Sequence, residues 1–232
     1  MNLLDRLGQS IADGALAAGS VFTIADVQAE SGASRSVVRE AVGVLASIGM
    51  VEPRRRVGVI VTSEHRWEIY DPHLIRWSLS GPRRARQLEA LMELRLAVEP
   101  LAARLAAERA TPDQRTDLLA TAEALGELGA AGRGDTLDYL DADVEFHTTL
   151  LVASGNPFLA GLVSPITEVL RGRTELGLTP RRPAPGTVED HIATARAIAE
   201  YDSHTAAARS AAQLEQVRRE VARTERVDAA SF

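Results

Sequence analysis

The chain has 232 residues, with 26 basic and 32 acidic side chains and a net charge of −6, a length that allows one large domain or two unequal ones. That acidity, taken whole, argues against nucleic acid as a partner, while the absence of cysteine excludes disulfides, thiol catalysis and every Cys-ligated zinc or iron–sulfur site. No apolar run nears the roughly 18 residues of a membrane span and the first residues lack a secretory pattern, so a cytoplasmic protein with no membrane partner is expected.

In chain order, the first 66 residues are mixed. Ile24 to Glu30 reads as a short helix, followed by the turn Ser31-Gly32-Ala33. Ser34 is a good N-cap for a second helix running to Ser47 or Ile48. Val37, Val38, Ala41, Val42, Val44, Leu45 and Ile48 form its apolar face, and Gly49 ends it. Met50 to Pro53 and Val57 to Val61 flank the basic tip Arg54-Arg55-Arg56 and read as a hairpin. Arg66 to Leu79 is read as a connector, closed by the turn signal Gly81-Pro82. Helices are then expected at about 84–109, 112–129, 134–154, 157–177, 187–201 and 203–227. Pro112 and Pro157 fall at helix starts, where proline is tolerated.

The expected fold is therefore mostly α: an N-terminal winged helix-turn-helix with a small β-hairpin wing, then an all-helical antiparallel bundle. The expected boundaries are 1–66 for the first domain, 67–83 for a linker and 84–228 for the second. The first domain changes the meaning of the net charge. It holds seven Arg against seven acids, so the whole excess of acid lies beyond it. Five of those seven fall on the second helix and the wing tip. A recognition helix lays its first residues against base edges in the major groove. Here those are Ser34, Arg35, Ser36 and Arg39. Arg bridges guanine O6 and N7, while Arg54, Arg55 and Arg56 would neutralise phosphates. The plainer alternative makes these arginines solvated face charges and a hairpin tip that resists edge pairing.

The run Ser34-Arg35-Ser36-Val37-Val38-Arg39-Glu40-Ala41, followed by Leu45, Gly49-Met50-Val51-Glu52 and Gly58, resembles the GntR family of bacterial transcription regulators. The resemblance implies DNA contact by Ser34, Arg35, Ser36, Arg39, Arg54 to Arg56 and the wing around Gly58. Many family members carry an Arg in the preceding helix where this chain has Ala25.

In the helical part, Asp143 and His147 are four apart and share a face, while His191 lies on a later helix. One carboxylate and two imidazoles suit a divalent ion such as Zn, Ni or Mn; a surface Asp–His pair is the other reading. Glu93 to Glu99, Asp143-x-x-Phe146-His147, Ser154 to Pro157 and Glu189-Asp190-His191 resemble the FadR-type subgroup with an FCD effector domain. That resemblance implies Asp143, His147 and His191 as metal ligands, with Gln213 at the place of a further His. It also implies that Arg95 binds an effector carboxylate; a surface pair with Glu99 is the alternative. Thr187 is a polar contact or a cap. Arg171 and Arg173 either line the cavity or, as the favoured reading, are solvated charge. The connector, Trp67 to Trp77, resembles a signature of galactonate and other sugar-acid regulators, although both Trp residues also suit simple anchoring.

Together these imply a homodimeric regulator, in the repressor mode, on a palindromic double-stranded operator, released by a small carboxylate such as an aldonate. The rivals are a metal-dependent hydrolase or isomerase using Asp143, His147 and His191, for which no base or oxyanion motif is found, and a metal-free regulator that answers to an acyl ligand.

Overall fold

The computed structural model describes residues 2–230, with side chains through Arg223. The chain divides after Arg84 into two compact units.

The first unit opens with α1 (Leu3–Ala12), capped by Asn2, whose Oδ1 accepts the Asp5 N–H at 2.8 Å. The short strand β1 (Val21–Phe22) leads to α2 (Ile24–Ser31), where Thr23 and Asp26 form a reciprocal capping box. Gly32 ends α2 in the left-handed region at φ 69°. α3 (Arg35–Ser47) follows with Ser34 as its cap. Strands β2 (Val51–Arg54) and β3 (Gly58–Val61) form the hairpin, with Arg54 opposite Gly58. β1 pairs with β3 on its other side, so the sheet order is β1-β3-β2, all antiparallel. Ile11, Phe22, Val38, Leu45, Met50, Val59 and Val61 fill the core.

Two helices of this unit lie outside the sequence expectation. One is α1. The other is α4 (Pro72–Ser80), capped by Asp71, which occupies the stretch read as a connector. The linker expected at 67–83 thus carries a helix that belongs to the first compact unit. The cause is packing. Trp77 is buried and covers Gly8 of α1 so closely that a side chain there would overlap the indole. Its Nε1 donates to Asp5 Oδ1 at 3.2 Å, and its carbonyl accepts from Gln9 Nε2 at 2.8 Å. Trp67 donates to Thr62 Oγ1 at 3.0 Å.

The second unit is helical: α5 (Arg84–Arg109), α6 (Pro112–Ala130), α7 (Leu137–Ala153), α8 (Pro157–Ala160), α9 (Val163–Glu175), α10 (Thr187–Ala199) and α11 (Ser203–Ala230). Thr111 caps α6 with a capping box to Gln114. α6 packs on α7 and α10, α10 on α11, and α7 on α9. Leu118, Leu125, Leu150, Leu151 and Ile198 sit fully buried between them. The single helix expected over 157–177 is two helices, α8 and α9. Pro165 has no N–H to continue the ladder from α8, yet it fits the first turn of α9.

Candidate functional site

On the first unit, α3 is held from behind by Val38, Ala41, Val42 and Leu45, all buried. That fixes Arg35 and Arg39 on its exposed face. An open groove of about 520 Å³ runs between α3 and the wing, lined by Arg35, Arg39, Arg54, Arg55, Arg56 and Gly58. The five arginines predicted to meet DNA therefore face one concavity. Arg56 turns the wing tip at φ 65°. Arg54 is bound at 2.7 Å by Glu52, whose other oxygen takes Arg66 at 2.7 Å. Both contacts hold the Glu52 carboxyl down at about 2. Ser34 Oγ accepts from the Val37 N–H and lies 2.9 Å from Ser36 Oγ, so this hydroxyl also serves its own helix. Gly58 has a backbone reason: at φ 125° a Cβ would stand 2.7 Å from the Phe22 carbonyl. Ala25 sits in the first turn of α2.

In the second unit, α7 and α10 bring Asp143, His147 and His191 together, with one donor atom from each within 4.8 Å of the others. Burial of His147 (1% exposed) and His191 (2%) removes the surface-pair reading. Asp143 Oδ1 lies 3.3 Å from His147 Nε2 and 3.4 Å from His191 Nε2. The second nitrogen of each ring is occupied. His191 Nδ1 donates to the Thr187 carbonyl at 2.8 Å, and His147 Nδ1 lies 2.7 Å from Glu99 Oε2. Such outer partners set the tautomer that leaves Nε2 as a donor atom for a metal. His191 Nε2 is buried and makes no hydrogen bond, since its approach to Asp143 lacks hydrogen-bond direction. Three convergent donors, one of them without a partner, fit a divalent ion.

Arg95 and Glu99 are fully buried on α5, so they are no surface pair. Arg95 Nε meets Glu99 Oε1 at 2.5 Å, and Arg95 Nη2 reaches His147 Nε2 at 3.1 Å. Burial works to raise the Glu99 carboxyl, but Arg95 and His147 outweigh it and hold it at about 2. Burial likewise opposes ionisation of Asp143, yet its contacts with His147 and His191 keep it well below the carboxylate range. For His147 burial disfavours the charge, and Glu99 overcomes this, so its pKa is raised. Arg95 Nη1 is buried without a hydrogen-bond partner.

Thr187 and Gln213 line a small cavity with Asp143, His191, Tyr139, Arg173 and Glu220. Its free volume is about 20 Å³, the room of one water or ion. Thr187 Oγ1 and Arg173 Nε are also buried without hydrogen-bond partners. Arg173 corrects the reading of solvated charge: it is 5% exposed. Tyr139 and Glu220 were missed as site residues, and Arg173 takes the cavity-lining place that was the less favoured of its two readings. The available signal was spacing, because Arg173 continues the buried stripe Ile166, Val169, Leu170 at helical intervals.

Two family models match the chain: bacterial regulatory proteins of the gntR family over residues 2–61, and the FCD domain over residues 90–228. The chain belongs to the GntR family. It is a transcription regulator of the GntR type with an FCD domain, as its relatives are, and not an enzyme. The galactonate operon transcriptional repressor of Escherichia coli (strain K12) is 31% identical over 214 residues, covering 89% of this chain and 91% of its own length. The HTH-type transcriptional regulator LutR of Bacillus subtilis (strain 168) is 31% identical over 161 residues, 69% of this chain and 70% of that protein. The solved Streptococcus agalactiae GntR superposes with a TM-score of 0.52 at 26% identity, covering 94% of this chain and 97% of that one. FCD domains of this family can bind metal, and Asp143, His147 and His191 are where this GntR regulator has a candidate site. No helix among the described residues is long and apolar enough to cross a membrane.

Proposed function

We propose that this GntR regulator is a cytoplasmic, homodimeric repressor that leaves a palindromic operator when a small sugar acid enters its second unit. Residues 1–66 would read DNA, and residues 84–228 would bind the effector and dimerise. The observation that carries the effector half is a set of four buried polar atoms without hydrogen-bond partners: Arg95 Nη1, Arg173 Nε, Thr187 Oγ1 and His191 Nε2. Each such atom costs about 1–3 kcal/mol, more when charged. They belong to residues that surround Asp143 and His147 in space, which is the signature of a place kept for a ligand.

A divalent ion (Zn, Ni or Mn) would be held by Asp143, His147 and His191, supplying a positive centre for the carboxylate. Arg95 would meet the same carboxylate through Nη1, the nitrogen that its contacts with Glu99 and His147 leave without a partner. Gln213 and Thr187 would contact the remainder. The polar lining favours an acid over an acyl chain, since no long apolar channel opens here among the described residues. A sugar acid exceeds the roughly 20 Å³ available, so the segment 178–186, which contributes Thr179, Pro180 and Pro183 and forms no helix or strand, must give way. Release from DNA follows only if the effector binds the off-DNA form more tightly. The galactonate operon repressor supports both the acid class and the sign of regulation.

The test is operator binding by the full chain, metal-loaded and after chelation, with D-galactonate, D-gluconate, acetate and a fatty acid. Release by aldonates that is lost on chelation is expected. Operator affinity that ignores every aldonate sinks the effector class, and release by the fatty acid alone favours the acyl reading.

A further inference from the structure

Buried arginines in this chain come in two states. Arg115, 7% exposed, is fully used: it donates to the carbonyls of Ala107, Ala110 and Ile198, and it lies 3.9 Å over the Tyr201 ring. Arg173, 5% exposed, makes no hydrogen bond or ion pair among the described residues, and its Nε is sealed without a partner. Burial lowers its pKa, but an arginine remains charged. Asp143 and Glu220 act on it through space, but a buried guanidinium with no hydrogen bond is still costly to keep. Arg173 stands on the cavity wall with Thr187 and Tyr139, near enough to Asp143, Arg95 and Glu220 to feel their charges.

We propose that Arg173 is a specificity residue that takes oxygens of the effector other than the carboxylate. The effector is then a hydroxy acid: its carboxylate is taken at Arg95, and its hydroxyl oxygens are taken by Arg173 and Thr187, whose buried Nε and Oγ1 have no hydrogen-bond partner. This rests on the effector site proposed above and adds its second anchor.

Charge decides what kind of oxygen Arg173 meets. With a divalent ion bound, Arg95, Arg173 and the ion would stand against Glu99, Asp143 and Glu220. Tyr139 stays neutral, because burial and the nearby Asp143 push its phenol up. One positive charge is left over, and a single carboxylate cancels it. A second anionic group would be buried uncompensated, so the oxygens at Arg173 are hydroxyl. The ligand class is a polyhydroxylated monocarboxylate rather than a diacid or a short acid.

Calorimetry on the metal-loaded full chain tests this with three probes: D-galactonate, galactarate as the matching diacid, and acetate. Wild type is expected to bind galactonate at least tenfold more tightly than either of the others. Arg173→Met, which keeps bulk and removes the donors, is expected to lose at least tenfold for galactonate and to leave acetate within twofold. Its melting temperature without ligand is expected to equal or exceed that of wild type, since an uncompensated charge has gone. Equal losses for galactonate and acetate, or a clearly lower melting temperature, would make Arg173 structural and overturn the proposal. So would preference for galactarate, or no loss for galactonate. Wild type that binds none of the three overturns the effector reading along with it.

Discussion

The two units use arginine in opposite ways. In the first, Arg35, Arg39, Arg55 and Arg56 stand in water on one groove and form no ion pair among the described residues. Keeping them costs the fold almost nothing, and on the proposed reading DNA would be met by an array that already exists. In the second, Arg95 and Arg173 are buried, and each has a guanidinium nitrogen without a partner. Their cost is carried all the time and, on the proposed reading, would be recovered when a ligand arrives. One unit would then recognise by placing charge on a surface, the other by withholding solvent from it.

That contrast can be broken at its strongest point with Arg95→Met. Removing one member of a buried pair leaves the other charged and alone, at about 3–5 kcal/mol, so urea unfolding should show a loss of that order. The double variant with Glu99→Gln should recover much of it. The pH dependence adds a sign: Glu99 is held at about 2 against a usual 4.5. Its contribution is therefore present above pH 4.5 and lost as the pH falls toward 2, and the Glu99→Gln chain should lack that part of its acid unfolding. If the double variant is no better than the single, the cost of burial was misjudged.

Arg39→Ala should behave in the reverse manner. With an exposed side chain removed, melting should not move, while operator discrimination at one base position falls by about 1–3 kcal/mol in competition binding. A uniform loss over all sequences would place Arg39 on phosphate instead. The smallest effect is expected at the wing, where Glu52 already holds Arg54. Glu52→Gln should steepen the salt dependence of operator binding by up to about one counterion. No change in slope would mean that Arg54 does not reach the backbone of DNA.

How much was legible in the sequence followed the range of the forces involved. α3, the wing and the start of α6 were readable because caps, breakers and β-branched runs act within a few residues. α1 and α4 were missed because each gains its burial from the other: Trp77 needs Gly8, 69 residues away, to lie flat. Asp143 and His147 were readable as an i,i+4 pair, whereas His191 could be joined to them by residue type, and by resemblance to a family, but not by spacing. Arg173 and Glu99 escaped because a charged side chain is presumed wet. What overrules that presumption is the apolar stripe they interrupt, a property of the packed helix rather than of the residue type.

One consequence belongs to the mechanics of the chain. α4 ends at Ser80 and α5 begins at Arg84. Gly81 has no room for a side chain beside Asp13, and Arg83 is paired with Glu64. From Ser80 to Arg84 the backbone spans at most about 14 Å when fully drawn out, and part of that length is already tied down. Within the first unit, the end of α4 thus has almost no slack. Any twist of α4 is passed through the indole of Trp77 to α1, which it covers.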